Sequence, residues 1–129
     1  VECHPYFPQT KLKALLDKHG IALQAWYPLG GRDNKVILEE PAVVALAEKY
    51  GKTPAQVVMR WHVQQGNIVI PGSKTPAHIA DNIDIFDFEL DDADMASMAM
   101  LDCGEPFYAR TPEKLAMYAT WHPDVEGQK

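Results

Sequence analysis

Hydrophobic positions along this chain fall into short runs whose period switches between two and about three and a half. "VECHPY", residues 1–6, is a brief extended piece stopped by Pro5. In "TKLKALLDKHG" the side chains of Leu12, Leu15 and Leu16 fall on one helical face, and Gly20 supplies the stop. "IALQAWY", residues 21–27, alternates Ile21, Leu23 and Ala25 and closes on Trp26 and Tyr27, the pattern of a strand. After the loop "PLGGRDNK", Pro41 opens the apolar helix "PAVVALAEKYG", ended by Gly51. "TPAQVVMRWHVQQG" carries a full start signal: Thr53 as N-cap, Pro54 at the first helical position, and Gln56 placed to close a capping box, with Gly66 at the end. "NIVI", residues 67–70, is too short and too apolar for an amphipathic surface strand and predicts a buried strand of a parallel sheet. "TPAHIADNI" repeats the Thr-Pro helix start, with Thr75 as N-cap and Pro76 at the first position. "FDFEL" sets Phe86, Phe88 and Leu90 against Asp87 and Glu89, a packing pattern. "LDDADMASMAML" predicts a further helix with Asp91 as N-cap and acids in its first turn. From Asp102 onward Pro106, Pro112 and Pro123 punctuate a segment holding Phe107, Tyr108, Tyr118 and Trp121. One short helix near "PEKLAMYA" is expected there, and the remainder as a packed tail.

The order is strand, helix, strand, two helices, strand, helices. Such alternation implies an α/β class with parallel strands and right-handed crossovers. Three strands alone would leave their outer edges and one face open. A closed barrel of eight such units takes roughly 250 residues, and this chain of 129 is near half that. It also starts abruptly at "VECHPYF" without an initiator Met, so a segment of a longer protein is expected.

Composition narrows the class. With 23% charged and 47% hydrophobic residues the chain reads as globular and not disordered. A net charge of −6 argues against a broad nucleic-acid-binding face. No apolar run approaches a membrane span, and no signal peptide is visible. Cys3 and Cys103 fit no zinc or redox spacing, so reduced thiols in a cytoplasmic protein are expected. Cys3 and His4 are adjacent in an extended piece and point to opposite faces, which makes them poor joint ligands. The five histidines show no ligand spacing either, and no metal site is expected.

The chemistry concentrates at residues 70–82, "IPGSKTPAHIADN". A helix amino terminus presents unpaired N–H groups and a partial positive charge. The Gly72-Ser73-Lys74-Thr75 turn ahead of it adds close backbone approach, hydroxyls and one cation, which together make a phosphate site plausible. The upstream glycine of a Walker A loop is absent at the required spacing.

Four linked stretches, "VECHPYFPQ", "GIALQAWYPLGG", "EKYGKTPAQVVMRWHVQQGNIVIPGSKTPAHIADNIDIFDFEL" and "YATWHPDVEGQK", resemble the aldo-keto reductases in order and spacing. The resemblance covers nearly the whole chain. It implies the carboxyl-terminal half of a (β/α)8, or TIM, barrel over residues 1–101, with residues 102–129 as a tail packing on it. It also implies NADP(H) as cofactor and small aldehydes or ketones as substrates. The family's catalytic Asp, Tyr, Lys and His set would lie ahead of Val1. Asp33, Tyr27, Lys35 and His4 do not match its contexts, so no catalytic residue is expected in this chain.

The cofactor-binding elements, by contrast, are implied to lie within it. Trp26 would stack on the nicotinamide ring, with Tyr27, Pro28, Leu29 and Gly30 beside the pyrophosphate. Ile70, Pro71, Gly72, Ser73, Lys74 and Thr75 would cradle the adenosine 2′-phosphate, with His78, Asp81 and Asn82 near the adenine. The chain departs from many relatives at Tyr27, where they carry a small hydroxyl residue, at Gly72, where they carry a Lys, and at His78, where they carry an Arg. Lys74 is expected to take over the charge missing at Gly72. The tail aromatics are candidates for a substrate wall. The alternative is a non-catalytic half-barrel that binds nucleotide, assembles with another chain or serves as an accessory subunit, with self-association through open strand edges. The missing amino-terminal half of the barrel is the principal expected partner.

Overall fold

A computed structural model describes residues 1–31, 36–109 and 111–122. The expectations for Asp33, Lys35, Pro123 and the end of the "YATWHPDVEGQK" stretch lie outside the described residues. The elements are α1 (Thr10–Lys18), β1 (Gln24–Ala25), a 3-10 turn over Val36–Glu39, α2 (Pro41–Tyr50), α3 (Pro54–Gln64), β2 (Ile68–Val69), α4 (Pro76–Ile83), α5 (Asp92–Ala99) and α6 (Pro112–Thr120).

The helix boundaries follow the capping chemistry. Gln56 N–H donates to the Thr53 hydroxyl, and the Gln56 side chain returns a bond to the Thr53 N–H, closing the capping box of α3. Asp91 and Asp94 do the same for α5. Gly51 ends α2 in the left-handed region at φ 64°, with its N–H turned back onto the Ala47 and Glu48 carbonyls. Thr75 stands at the N-cap of α4 as expected, yet its side chain makes no capping bond.

The strands differ from expectation. β1 and β2 are parallel, with Gln24 opposite Ile68 and Ala25 opposite Val69. Glu2 bridges Trp26 in parallel on the other side of β1, with Cys3 N–H donating to Trp26 O at 3.0 Å and Trp26 N–H to Val1 O at 2.7 Å. Three parallel segments therefore lie side by side, but the expected seven-residue strand 21–27 pairs over only two residues in β1 plus the bridge at Trp26. The expectation that "NIVI" is buried does not hold in this chain: Ile68 is 47% and Ile70 65% exposed. Among the described residues no further strand pairs with the outer edge of β2.

The main core lies among the helices. Ile37, Val43, Leu46, Val57, Val58, Trp61, Leu90 and Met98 pack between the 3-10 turn, α2, α3 and α5. A smaller cluster of Cys3, Leu23 and Ala25 sits under the strands, with Leu16 and Val69 against it. The Leu face expected on α1 is narrower than its pattern: Leu12 and Leu16 are half-buried and Leu15 is exposed.

One face of α3 holds the chain that leads from α4 to α5. Gln56 donates to Asp84 O at 2.8 Å, Arg60 to Ile85 O at 3.3 Å and Gln64 to Leu90 O at 2.8 Å, and Gln64 also accepts the Leu90 N–H. These residues recur every four positions, so one helical stripe satisfies the backbone of an extended segment that has no sheet partner. That segment buries Ile85 and Leu90. The single-sided packing expected of "FDFEL" is corrected accordingly, because Phe86 points outward and Phe88 is half-buried. Lys52 adds ion pairs to Asp84 and Asp87, and Lys49 to Asp91 and Asp94, each at 2.8 Å.

Candidate functional site

The loop after β1 and the loop after β2 leave the same end of the parallel pair, as loops after adjacent parallel strands must. Between them lies an open cleft of about 720 Å³. Trp26, Tyr27, Pro28 and Leu29 line one side. Ile70, Pro71, Gly72, Ser73 and Lys74 line the other. A second cavity of about 370 Å³ shares Leu29, Pro71, Gly72 and Ser73 with the first and continues to His78, Asp81 and Asn82 on α4. The two sequence segments singled out for chemistry thus form one continuous concave surface.

Two of the expected residues, Gly30 and Thr75, are not among those lining it. Gly30 is buried and closes a turn by donating its N–H to Tyr27 O at 2.9 Å. Thr75 donates its N–H to the Ser73 hydroxyl at 3.1 Å. Reading the sequence missed Gly31, Leu38 and the start of α3 (Thr53, Pro54, Ala55) as lining residues. The Thr53-Pro54 helix start was visible in the sequence, but nothing there placed it opposite α4.

Trp26 is 43% exposed. Tyr27 stacks on it with ring centroids 3.8 Å apart and planes 18° from parallel. That placement requires Tyr27 to adopt φ 55°, a left-handed conformation costly for an aromatic residue. Gly31 packs close to the Tyr27 ring, and its φ of 88° is a conformation that favours glycine. Tyr108 from the tail meets Trp26 edge-on at 5.2 Å.

The turn that carries Tyr27 is held from below. The His62 ring nitrogen Nε2 lies 3.3 Å from Pro28 O, and its Nδ1 lies 3.3 Å from Asn67 Nδ2. A carbonyl can only accept, so Nε2 carries the proton and Nδ1 accepts from the Asn67 amide. His62 is therefore the neutral tautomer, and burial pushes its pKa down to about 4. Cys3 and His4 are both fully buried. Burial raises the Cys3 thiol to about 11 and lowers His4, whose Nε2 donates to Glu2. Both cysteines are free thiols. No group of metal-ligating side chains occurs among the described residues, and no helix among them is long and apolar enough to cross a membrane.

Chemically, the anion-accepting end is the Gly72–Pro76 turn. Lys74 is exposed and has no ion pair among the described residues. Gly72 has open space where a side chain would project. The first turn of α4 faces this region without a side-chain cap, unlike α3, α5 and α6.

Comparison with known proteins gives this arrangement its context. The Aldo/keto reductase family model matches residues 1–102. An aldo-keto reductase of Mycolicibacterium smegmatis is 50% identical over 105 residues, which cover 81% of this chain and 37% of that protein. The methylglyoxal reductase DkgA of Escherichia coli is 43% identical over 105 residues, covering 81% of this chain and 38% of that one. The crystal structure of a Gox0644 mutant in complex with NADPH superposes with a TM-score of 0.74 at 45% identity, over 79% of this chain and 36% of that one. The chain spans a little over a third of the length of these relatives. Its parallel strands and covering helices are part of a (β/α) barrel, and the chain belongs to the aldo/keto reductase family.

Proposed function

We propose that this chain is the carboxyl-terminal part of an NADPH-dependent reductase of small aldehydes and ketones, and that it supplies the cofactor cradle. Residues 1–101 form the barrel portion and residues 102–129 the tail. The observation that carries the reading is the convergence of the 26–30 loop, the 70–75 turn and α4 on one continuous cleft. Its two volumes are of the size of small-molecule sites. The relative solved with NADPH supports the choice of cofactor.

In this reading Trp26 holds the nicotinamide ring by one face, and Tyr27, Pro28, Leu29 and Gly30 border the pyrophosphate. Ile70 and Pro71 form the floor between the two ends. Ser73, Lys74, Thr75 and the uncapped start of α4 receive the 2′-phosphate beside Gly72. His78, Asp81 and Asn82 border the adenine. The bound dinucleotide supplies a hydride to the carbonyl carbon. The residues of this chain orient the cofactor and exclude water, while the proton donor and its Asp, Lys and His companions belong to the preceding part of the barrel. The 129-residue chain alone is then inactive, and the complete protein works in the cytoplasm.

The test is cofactor affinity in the full-length protein, with and without Lys74→Ala. Loss of one direct phosphate contact should weaken NADPH by about tenfold and leave NADH unchanged. An unchanged NADPH preference would sink the assignment of Lys74. Turnover of NADPH by the isolated chain above background would refute its inactivity.

A second reading is a non-catalytic half-barrel that binds nucleotide or assembles with another chain. The exposure of Ile68, Ile70, Ile79 and Ile83 favours some covering partner. The reading requires the isolated chain to bind NADPH stably, which equilibrium dialysis measures.

A further inference from the structure

Glu2 is a carboxylate where the fold needs none. It lies in the first extended segment, only 6% exposed, beside Trp26 in the parallel pairing. A buried, unpartnered carboxylate is strongly disfavoured, so it must find donors. Its Oε1 accepts the Phe107 N–H at 2.6 Å, the Tyr108 N–H at 3.1 Å and the His4 Nε2–H at 3.2 Å. Two successive backbone N–H groups aimed at one anion form a geometry that fixes the chain supplying them. Those donors come from the tail, 105 and 106 residues away in sequence.

The tail is tied down on both sides of this point. Upstream, the N–H groups of Cys103 and Gly104 donate to Tyr6 O at 3.2 and 3.1 Å. The Phe107 ring lies 4.5 Å from the His4 ring. The next residue, Tyr108, turns its ring edge to Trp26, and Lys114 Nζ sits 4.6 Å from the centroid of the Tyr108 ring. The carboxylate thus receives the tail where it crosses the end of the strands, and that crossing places Tyr108 at Trp26.

We propose that Glu2 is a positioning residue: it pins the tail at Phe107 and Tyr108 so that Tyr108 forms the wall beside Trp26 against which the carbonyl substrate rests. The proposal builds on the reading of Trp26 as the nicotinamide platform. It separates Glu2 and Tyr108, which would act on the substrate side, from Lys74, which acts on the phosphate side.

The test uses the full-length protein with NADPH, methylglyoxal as the probe carbonyl, and amide hydrogen exchange. In Glu2→Ala the Phe107 and Tyr108 amides should exchange at least about tenfold faster. KM for methylglyoxal should rise by about tenfold, with NADPH affinity within about twofold of wild type. Glu2→Gln, which keeps an acceptor oxygen, should restore slow exchange and most of the KM. Should Glu2→Ala fail to fold, Tyr108→Ala leaves the backbone donors intact, and it should raise KM with exchange at Phe107 unchanged. Unaltered exchange in Glu2→Ala, a KM that stays put in Tyr108→Ala, or an equal loss of NADPH affinity overturns the proposal. A wild-type protein that binds NADPH but reduces no carbonyl defeats the functional reading instead, while the exchange measurement still decides the tail anchor.

Discussion

The helical side of this molecule and its strand side place their apolar residues in opposite ways. Around α2, α3 and α5 the large hydrophobics are enclosed, side chains cap the starts of α3 and α5, and the polar stripe of α3 satisfies the neighbouring backbone. Around β2 and α4 the isoleucines face outward, Ile83 at 72% exposure, and the α4 start lacks a side-chain cap. The first region is a self-sufficient packing unit. The second consists of open surfaces, and on the proposed reading their complements are a cofactor for the cleft and further barrel for the strand edge. An incomplete set of barrel strands has to look this way, since each parallel strand needs neighbours on both sides and layers on both faces.

The comparison can be broken hardest in the helical core. Trp61→Ala, in a fully enclosed site, should cost about 3–5 kcal/mol of stability in urea unfolding of the full-length protein. Trp61→Phe, which deletes an indole N–H that finds no partner among the described residues, should lose far less. A small effect of Trp61→Ala would mean that the helices do not carry the packing.

The buried histidines offer the next largest effect. The folded pKa of His62 lies near 4 and that of His4 is also lowered, both mainly by burial. Unfolded histidine titrates near 6.5. Between those values the unfolded chain binds more protons, so stability is full above about pH 6.5 and falls as the pH drops toward 4. For His62 the loss should reach up to about 3 kcal/mol, and His62→Gln should flatten that part of the pH profile. Equal slopes in mutant and wild type would count against a neutral His62.

Smaller again is the effect at the cleft. Gly72→Lys adds a cation where the added side chain meets open space. NADPH should bind about tenfold tighter, with stability unchanged within about 0.5 kcal/mol. Weaker binding would place the phosphate elsewhere. Smallest in stability is Ile70→Lys, just beyond the open strand β2, expected within about 0.5 kcal/mol in the isolated chain. Its visible consequence should be less self-association by size-exclusion chromatography, because a lysine beside an open strand edge opposes pairing. An isolated chain that is monomeric with Ile70 intact would remove the need for a covering partner.

Local signals carried well into the structure. The Thr53–Gln56 capping box, the Asp91 cap and the Gly51 stop appear where the sequence puts them, because each is decided by atoms within four residues. The convergence of most of the residues singled out at 26–30 and 70–82 on one cleft also followed from the motifs, since loops after parallel neighbours share an end. Burial was read less well. "NIVI" has the composition of an enclosed strand, yet its Ile68 and Ile70 are exposed here, because composition records the environment a residue is suited to, not which neighbour is present. The alternation of "FDFEL" suggested one packing face, but α3 holds its backbone and turns Phe86 out.

By itself, then, the sequence determined the helix starts and stops, the parallel α/β order, the family, and the two segments that line the cleft. Those depend on short-range chemistry and on spacing. Tertiary structure alone decided that Gln56, Arg60 and Gln64 serve the 84–90 backbone and that His62 holds the Pro28 turn. It alone decided that Glu2 receives a tail more than a hundred residues away. Such bonds join polar groups that are unremarkable one at a time, and only the packed chain brings a donor and an acceptor into one dry place.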